Sequence, residues 1–134
     1  MRRSFFASCT RGIEDVLGRE LEQLGAQQIH PDAGGVHFVG PLELGYTACL
    51  WLRTATRVHE RIGEGRVTTP KQLLHVAGSV NWSNYMDVDQ TFAVFSTCVR
   101  SKLHHSQYAS QLVKDAIVDQ FRAKTGKRPD VDKD

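Results

Sequence analysis

Two hydrophobic rhythms alternate along the chain, one of period two and one near 3.6. Ser4 to Ser8 reads as a brief buried strand. Ile13, Val16, Leu17, Leu21 and Leu24 then recur at helical spacing, with Thr10 placed as a cap ahead of them and Gly25 as a stop behind. Gln27 to His30 and Val36 to Val39 read as two strands of a hairpin. Between them Pro31-Asp32-Ala33-Gly34-Gly35 is turn chemistry. Pro41 stands at the first position of a further helix whose apolar face would be Leu42, Tyr46, Cys49 and Leu50. A last strand runs from about Val58 to Val67, ending near Thr69-Pro70. The order βαββαβ is the ferredoxin-like pattern.

The second half opens with a short helix, Pro70 to Gly78, followed by Val80-Asn81-Trp82-Ser83-Asn84-Tyr85. From Thr91 to Cys98 Phe92 and Val94 alternate with Ala93 and Phe95, which predicts a well-formed strand. Ser106 is placed to cap the longest helix of the chain. Its apolar face is Tyr108, Leu112, Val113, Ala116, Ile117 and Phe121, and its outer face is Gln111, Lys114, Asp115 and Arg122. Gly126 closes it. A single strand leaves backbone donors unpaired, and the helix has more apolar face than one strand can cover. The pattern is therefore that of an unfinished domain, with more strands expected after Asp134.

Bulk composition adds one fact. The 134 residues carry a net charge of only +2. The window from Cys98 to Arg128, however, holds seven basic residues (Arg100, Lys102, Lys114, Arg122, Lys124, Lys127, Arg128) against Asp115 and Asp119. That is +5 in the window and −3 for the rest. So lopsided a field suits a polyanionic partner, although a solvated helix face would have the same composition. Cys9, Cys49 and Cys98 are odd in number and far apart, which supports neither a disulfide framework nor a zinc site and fits a reducing cytoplasm. Arg2-Arg3 and Phe6-Ala7-Ser8-Cys9 lack the apolar run of an export signal, and no stretch approaches a membrane span.

Several runs resemble one family. Phe6-Ala7-Ser8-Cys9-Thr10-Arg11-Gly12-Ile13-Glu14-Asp15 and Gly34-Gly35-Val36-His37-Phe38-Val39-Gly40 are similar to the opening of THUMP-domain large-subunit ribosomal RNA guanine-N2 methyltransferases. Leu50-Trp51-Leu52-Arg53-Thr54-Ala55-Thr56-Arg57-Val58 matches their helix-to-strand junction. Asn81-Trp82 and Thr91-Phe92-Ala93-Val94 follow in the right order. Most specific is Ser106-Gln107-Tyr108 through Val113-Lys114-Asp115-Ala116-Ile117-Val118-Asp119, ending in Arg128-Pro129-Asp130-Val131-Asp132. The resemblance covers essentially the whole chain. It departs at His104-His105-Ser106, where the family tends to place an Asn before the Ser.

The resemblance implies an α+β chain: a ferredoxin-like βαββαβ domain over residues 1–67, then a partial THUMP α/β domain over 68–134 that stops before its last strands. It also implies a parent enzyme that uses S-adenosylmethionine. This chain has no Asn/Asp-Pro-Pro-aromatic loop to hold a flipped base, since its four prolines are never adjacent. Gly63-Glu64-Gly65 is only a near miss for a cofactor loop, so no cofactor and no catalytic residue is expected here. His104-His105 with Cys98 is a poor metal site, because adjacent side chains diverge. Asp115 and Asp119 look like carboxylates of a salt-linked helix face rather than a catalytic pair. Trp82 and Tyr108 are expected in the core, while Tyr85 is open. Arg53 and Arg57 could bridge or touch RNA.

The expected function is an RNA-binding module of a large-subunit ribosomal RNA methyltransferase. Its expected RNA contacts are Arg100, Lys102, Lys114, Arg122, Lys124 and Arg128. No metal or membrane partner is expected, and the location is the cytoplasm. Two alternatives stay open: a free-standing interaction or dimerisation module, and the THUMP module of a transfer-RNA-modifying enzyme.

Overall fold

A computed structural model describes residues 1–132. They form two compact units, Met1–Ile62 and the chain from Gly63 onward.

The first unit has the order β1 (Arg3–Cys9), α1 (Glu14–Gln23), β2 (Gln27–Asp32), β3 (Gly35–Gly40), α2 (Leu42–Trp51), β4 (Ala55–Arg61). The sheet runs β2-β3-β1-β4, with β1 antiparallel to both of its neighbours. This is the βαββαβ order read from the sequence. Phe5 and Ala7 of β1 and Val36 and Phe38 of β3 point to one side of the sheet. There they meet Leu17 and Leu21 of α1 and Leu44 and Ala48 of α2 in a fully buried cluster. Phe5 and Phe38, directly paired across the strands, stack with ring centroids 5.2 Å apart. Such a pair adds about 0.5–1.5 kcal/mol beyond its burial.

Several details differ from expectation. The face of α2 given as Leu42, Tyr46, Cys49 and Leu50 is not the buried one. Leu44, Gly45 and Ala48 are buried, whereas Tyr46 is 64% and Leu50 80% exposed. The helix is apolar nearly all round, so periodicity could not choose a face, and the small residues win because they let the helix approach the sheet. Pro41 precedes the first helical residue instead of occupying it. β2 runs on through Pro31 to Asp32, which is tolerated because β2 is an edge strand with no ladder on its outer side. β4 lies at 55–61 rather than 58–67, since Arg61 already pairs with Ser4 near the start of β1.

Thr10 does not cap α1. The Glu14 carboxylate accepts N–H bonds from Gly12 (2.8 Å) and Gly34 (3.0 Å), tying the helix start to the β2–β3 turn. Hydrogen bonds from its own backbone N–H and from those of Gly34 and Gly12 hold its pKa below the ordinary carboxylate range. Glu20 makes the second tie. It accepts from the Arg53 N–H (3.0 Å), the Thr54 N–H (3.1 Å) and the Thr54 hydroxyl, and so fastens α1 to the α2–β4 junction.

In the second unit α3 (Pro70–Gly78) is started by a capping box. Gln72 N–H donates to Thr69 Oγ1, and Thr69 N–H donates to Gln72 Oε1, each at 3.3 Å. A 3-10 turn (Trp82–Asn84) and α4 (Ser106–Thr125) complete the regular structure of the described residues. Gly126 ends α4 in the left-handed conformation at φ 72°. His105 rather than Ser106 occupies the capping position, with no side-chain cap bond. Of the expected apolar face Leu112, Ala116, Ile117 and Phe121 are buried, but Tyr108 is 48% exposed.

Residues 91–98 do not form a strand in a sheet. They keep the alternating burial of an extended chain, yet their only ladder contact among the described residues is an isolated parallel bridge, Phe92 to Val131. Phe92 N–H donates to Asp130 O (3.2 Å) and Asp132 N–H donates to Phe92 O (2.7 Å). Alternation specifies an extended backbone; pairing also needs a neighbour.

Glu20 yields a prediction. Burial pushes its pKa up, but the Thr54 and Arg53 hydrogen bonds and the Arg53 charge outweigh this and hold it low. A depressed folded pKa means that its stabilisation is complete above the unfolded value of about 4.3 and is lost as pH falls through the folded value. Glu20→Gln should therefore lower unfolding free energy by about 1–3 kcal/mol at neutral pH. In urea titrations the gap between variant and parent should close below about pH 4. A gap that persists unchanged at pH 3 would show that the charge is not the stabilising feature.

Candidate nucleic-acid interface

The six expected RNA-contacting residues follow the length of α4. With 20 residues this helix is about 30 Å long. Arg100 and Lys102 precede it, Lys114 lies near its middle, Arg122 and Lys124 are in its last turn, and Arg128 follows. Going by helical rotation, Arg122 lies about 80° to one side of Lys114 and Lys124 about 80° to the other. Arg122 and Lys124 are thus about 160° apart, so the basic residues are spread over a broad band of the helix and its flanks, not gathered in a single patch.

Their local partners differ. Arg100, Lys102, Arg122 and Arg128 are exposed. Arg100 sits at φ 48°, in the left-handed region, where it turns the chain ahead of α4. Arg122 and Lys124 at the helix end face the negative pole of its dipole, a favourable place for cations. Lys114 is half-buried and reaches Asp115 at 3.3 Å. It also lines a cavity of about 330 Å³ together with Ala93, Phe95, Ser110, Gln111 and Val131.

Lys124 is committed inside the unit. Its Nζ donates to Asn81 Oδ1 (2.6 Å) and Ser83 Oγ (3.4 Å). Next to it Gln120, which the sequence pattern did not single out, holds the same loop. Gln120 Oε1 accepts the Trp82 N–H (2.9 Å), and its Nε2 donates to Val80 O (2.7 Å) and Gly78 O (3.2 Å). Trp82 Nε1 in turn donates to Ala77 O (2.8 Å). Trp82 is thus half-buried and fully engaged, while Tyr85 and Tyr108 are 45% and 48% exposed. A glutamine on the polar side of a helix gives no sequence signal for such a role.

Gly63 and Gly65 do not form a nucleotide cradle. A Cβ on Gly65 would lie 2.5 Å from Val76 Cγ2, and one on Gly63 would lie 2.9 Å from Val80 Cγ2. These glycines let the chain pass tightly over apolar residues of its own unit, and such a packed segment does not fit S-adenosylmethionine. Among the described residues no group of three His, Cys, Asp or Glu side chains could hold a metal ion. Nor is any helix among them long and apolar enough to cross a membrane.

Against known families, residues 4–59 match the model of the RlmL ferredoxin-like domain and residues 67–134 that of the THUMP domain. The chain is 41% identical over 128 residues to the ribosomal RNA large subunit methyltransferase K/L of Syntrophotalea carbinolica. It is 39% identical over 131 residues to the protein of that name from Aeromonas hydrophila. These alignments cover 96% and 98% of this chain but only 18% of either relative, so the chain spans less than a fifth of their length. Among solved structures, a predicted N6-adenine-specific DNA methylase from Listeria monocytogenes superposes with TM-score 0.90 at 29% identity. That match covers 97% of this chain and 35% of the other. SMU.472, a putative methyltransferase complexed with SAH, gives 0.87 at 30% identity over 96% and 36%.

Gln120→Ala should release the loop that it holds. Removing it strands the Trp82 N–H and the Val80 carbonyl in a part-buried setting, a cost of about 1–3 kcal/mol. Urea unfolding should read that loss, and amide exchange at Trp82 should speed up. Unchanged exchange at Trp82 would show that the loop is held by other contacts.

Proposed function

Because the chain belongs to the THUMP-domain family, we propose that it is the RNA-engaging part of a large-subunit ribosomal RNA guanine-N2 methyltransferase that works in the cytoplasm. The observation that carries this reading is the match of residues 67–134 to the THUMP model, in the same stretch that holds the basic band along α4. The relatives named as large-subunit methyltransferases and the solved methyltransferase with bound SAH support a parent enzyme that uses S-adenosylmethionine. The module brings structured ribosomal RNA to a catalytic domain outside these 134 residues, and contributes no cofactor contact and no reacting group itself.

Binding on this reading is electrostatic and weakly selective, because phosphate contacts position a nucleic acid without reading its sequence. Arg100, Lys102, Arg122 and Arg128 are the phosphate contacts, with Lys114 in support through a charge partly offset by Asp115. Lys124 serves the fold first.

Three outcomes are expected. Four phosphate contacts at ~0.7–0.9 ions each give a log–log salt slope of about −2.8 to −3.6, so a fourfold rise in salt weakens structured-RNA binding about 50- to 150-fold. The double variant Arg122→Ala, Arg128→Ala should remain folded and flatten the slope by ~1–2 units. An unchanged slope in the folded variant, or no RNA retained at low salt, would favour a protein-interaction module instead. Calorimetry with S-adenosylmethionine should detect no stoichiometric site on this chain; a micromolar site would overturn the division of labour.

A further inference from the structure

Both helices of the first unit pack against the side of the sheet that carries Phe5, Ala7, Val36 and Phe38. Strand alternation then sends Phe6 and His37 to the opposite side. The register places these two directly across from each other on the central strands β1 and β3. His59 of β4 is opposite Phe6, and His30 of β2 is opposite His37. One row of four rings, His30, His37, Phe6 and His59, therefore crosses the whole sheet on the face that the helices leave open.

The centre of the row is built, not incidental. The rings of Phe6 and His37 lie 4.7 Å apart at 45°. Phe6 reaches over Gly35, where a Cβ would come within 2.3 Å of the Phe6 ring and 2.5 Å of the Ala7 carbonyl. Glycine is thus required for the tip of the ring to reach over this position. His37 Nε2 is 3.5 Å from Asp32 Oδ2, while its buried Nδ1 has no partner, so the ring is pinned at one end only. Arg57 and Arg61 stand on the same face along β4, opposite Ser8 and Ser4. Asp32 is the one carboxylate that the register puts on this face, and it is already taken up by the Ala33 N–H and His37.

We propose that this open face binds unpaired RNA, with bases stacking on Phe6 and His37 and the backbone running along the Arg57 edge. Flat rings on central strands accept any base through its π-face, and arginines on an edge strand meet the phosphates. A duplex hides the base faces that this platform needs. The surface is separate from the basic band on α4 and uses different chemistry, so the two can be tested apart.

The whole chain is titrated with a labelled uridine octamer and, separately, with a blunt RNA duplex. Phe6→Leu keeps apolar cover over Gly35 but removes the stacking ring; it should weaken octamer binding roughly tenfold, within the range for one lost base stack. Phe6→Tyr should restore it, and neither variant should change duplex affinity. In the parent protein the octamer should shift β1 and β3 amide resonances. That measurement, together with Arg57→Ala, decides the matter should Phe6→Leu fail to fold. A folded Phe6→Leu with parental octamer affinity, or octamer shifts absent from β1 and β3, overturns the proposal. So does self-association of the chain through this face in place of RNA binding. Duplex binding that survives those failures leaves the α4 reading standing; octamer binding to β1 and β3 without duplex binding sinks that reading alone.

Discussion

Everything in the first unit depends on β1 being paired on both edges and buried on one face. Flanked by β3 and β4, it cannot shift register without breaking two ladders at once. A slip of one residue would also exchange Phe5 for Phe6 in the core. The stack of Phe5 on Phe38 fixes which side the helices cover. Period two then leaves no choice about Phe6 and His37: residues that cannot enter the core are held in a row on the outer face. The same backbone constraint thus builds the core and sets out the chemistry opposite it.

The second unit is organised by a helix instead. α4 buries Ala109, Leu112, Ala116, Ile117, Val118 and Phe121, and its polar residues divide between two tasks. Gln120, half-buried, and Lys124, at the surface, hydrogen-bond to the loop around Trp82. Arg122, between them in sequence, is left exposed. An exposed arginine keeps its full hydration and its freedom to pair with a phosphate, whereas Lys124 must first give up the Asn81 and Ser83 oxygens. Counting positive charges along a helix therefore overstates what a polyanion can use.

Element types were largely legible in the sequence because each rests on local physics. The element order of the first unit, the Pro70–Gly78 helix and the long helix ending at Gly126 follow from periodicity and from turn and stop residues. What was not legible depends on long-range partners. The buried face of α2 is set by Gly45 and Ala48 meeting the sheet, information absent from a helix apolar on all sides. Glu14 ties the start of α1 to Gly34, a contact across 20 positions of chain, and Thr10 makes no cap bond. The alternation at 91–98 was real, but a strand is completed by its neighbour. Within the basic band the residue types were readable, whereas the commitment of Lys124 to Asn81 needed the fold.

The two proposed RNA surfaces differ in how their free energy responds to conditions, and this gives the pairing a purpose. Phosphate contacts weaken steeply with salt because counterions are released. Base stacking itself, at roughly 1–3 kcal/mol per base, depends little on screening, so on the sheet surface only the Arg57 contacts share that salt dependence. Wherever one RNA engages both surfaces, the second encounter is intramolecular and weak affinities multiply instead of competing. A target with both a duplex stem and unpaired bases then satisfies both terms, while a plain duplex or a plain single strand satisfies one. Selectivity for folded RNA can arise in this way without any residue reading a base edge. That would suit the proposed role, in which the catalytic domain and not this module handles the base itself.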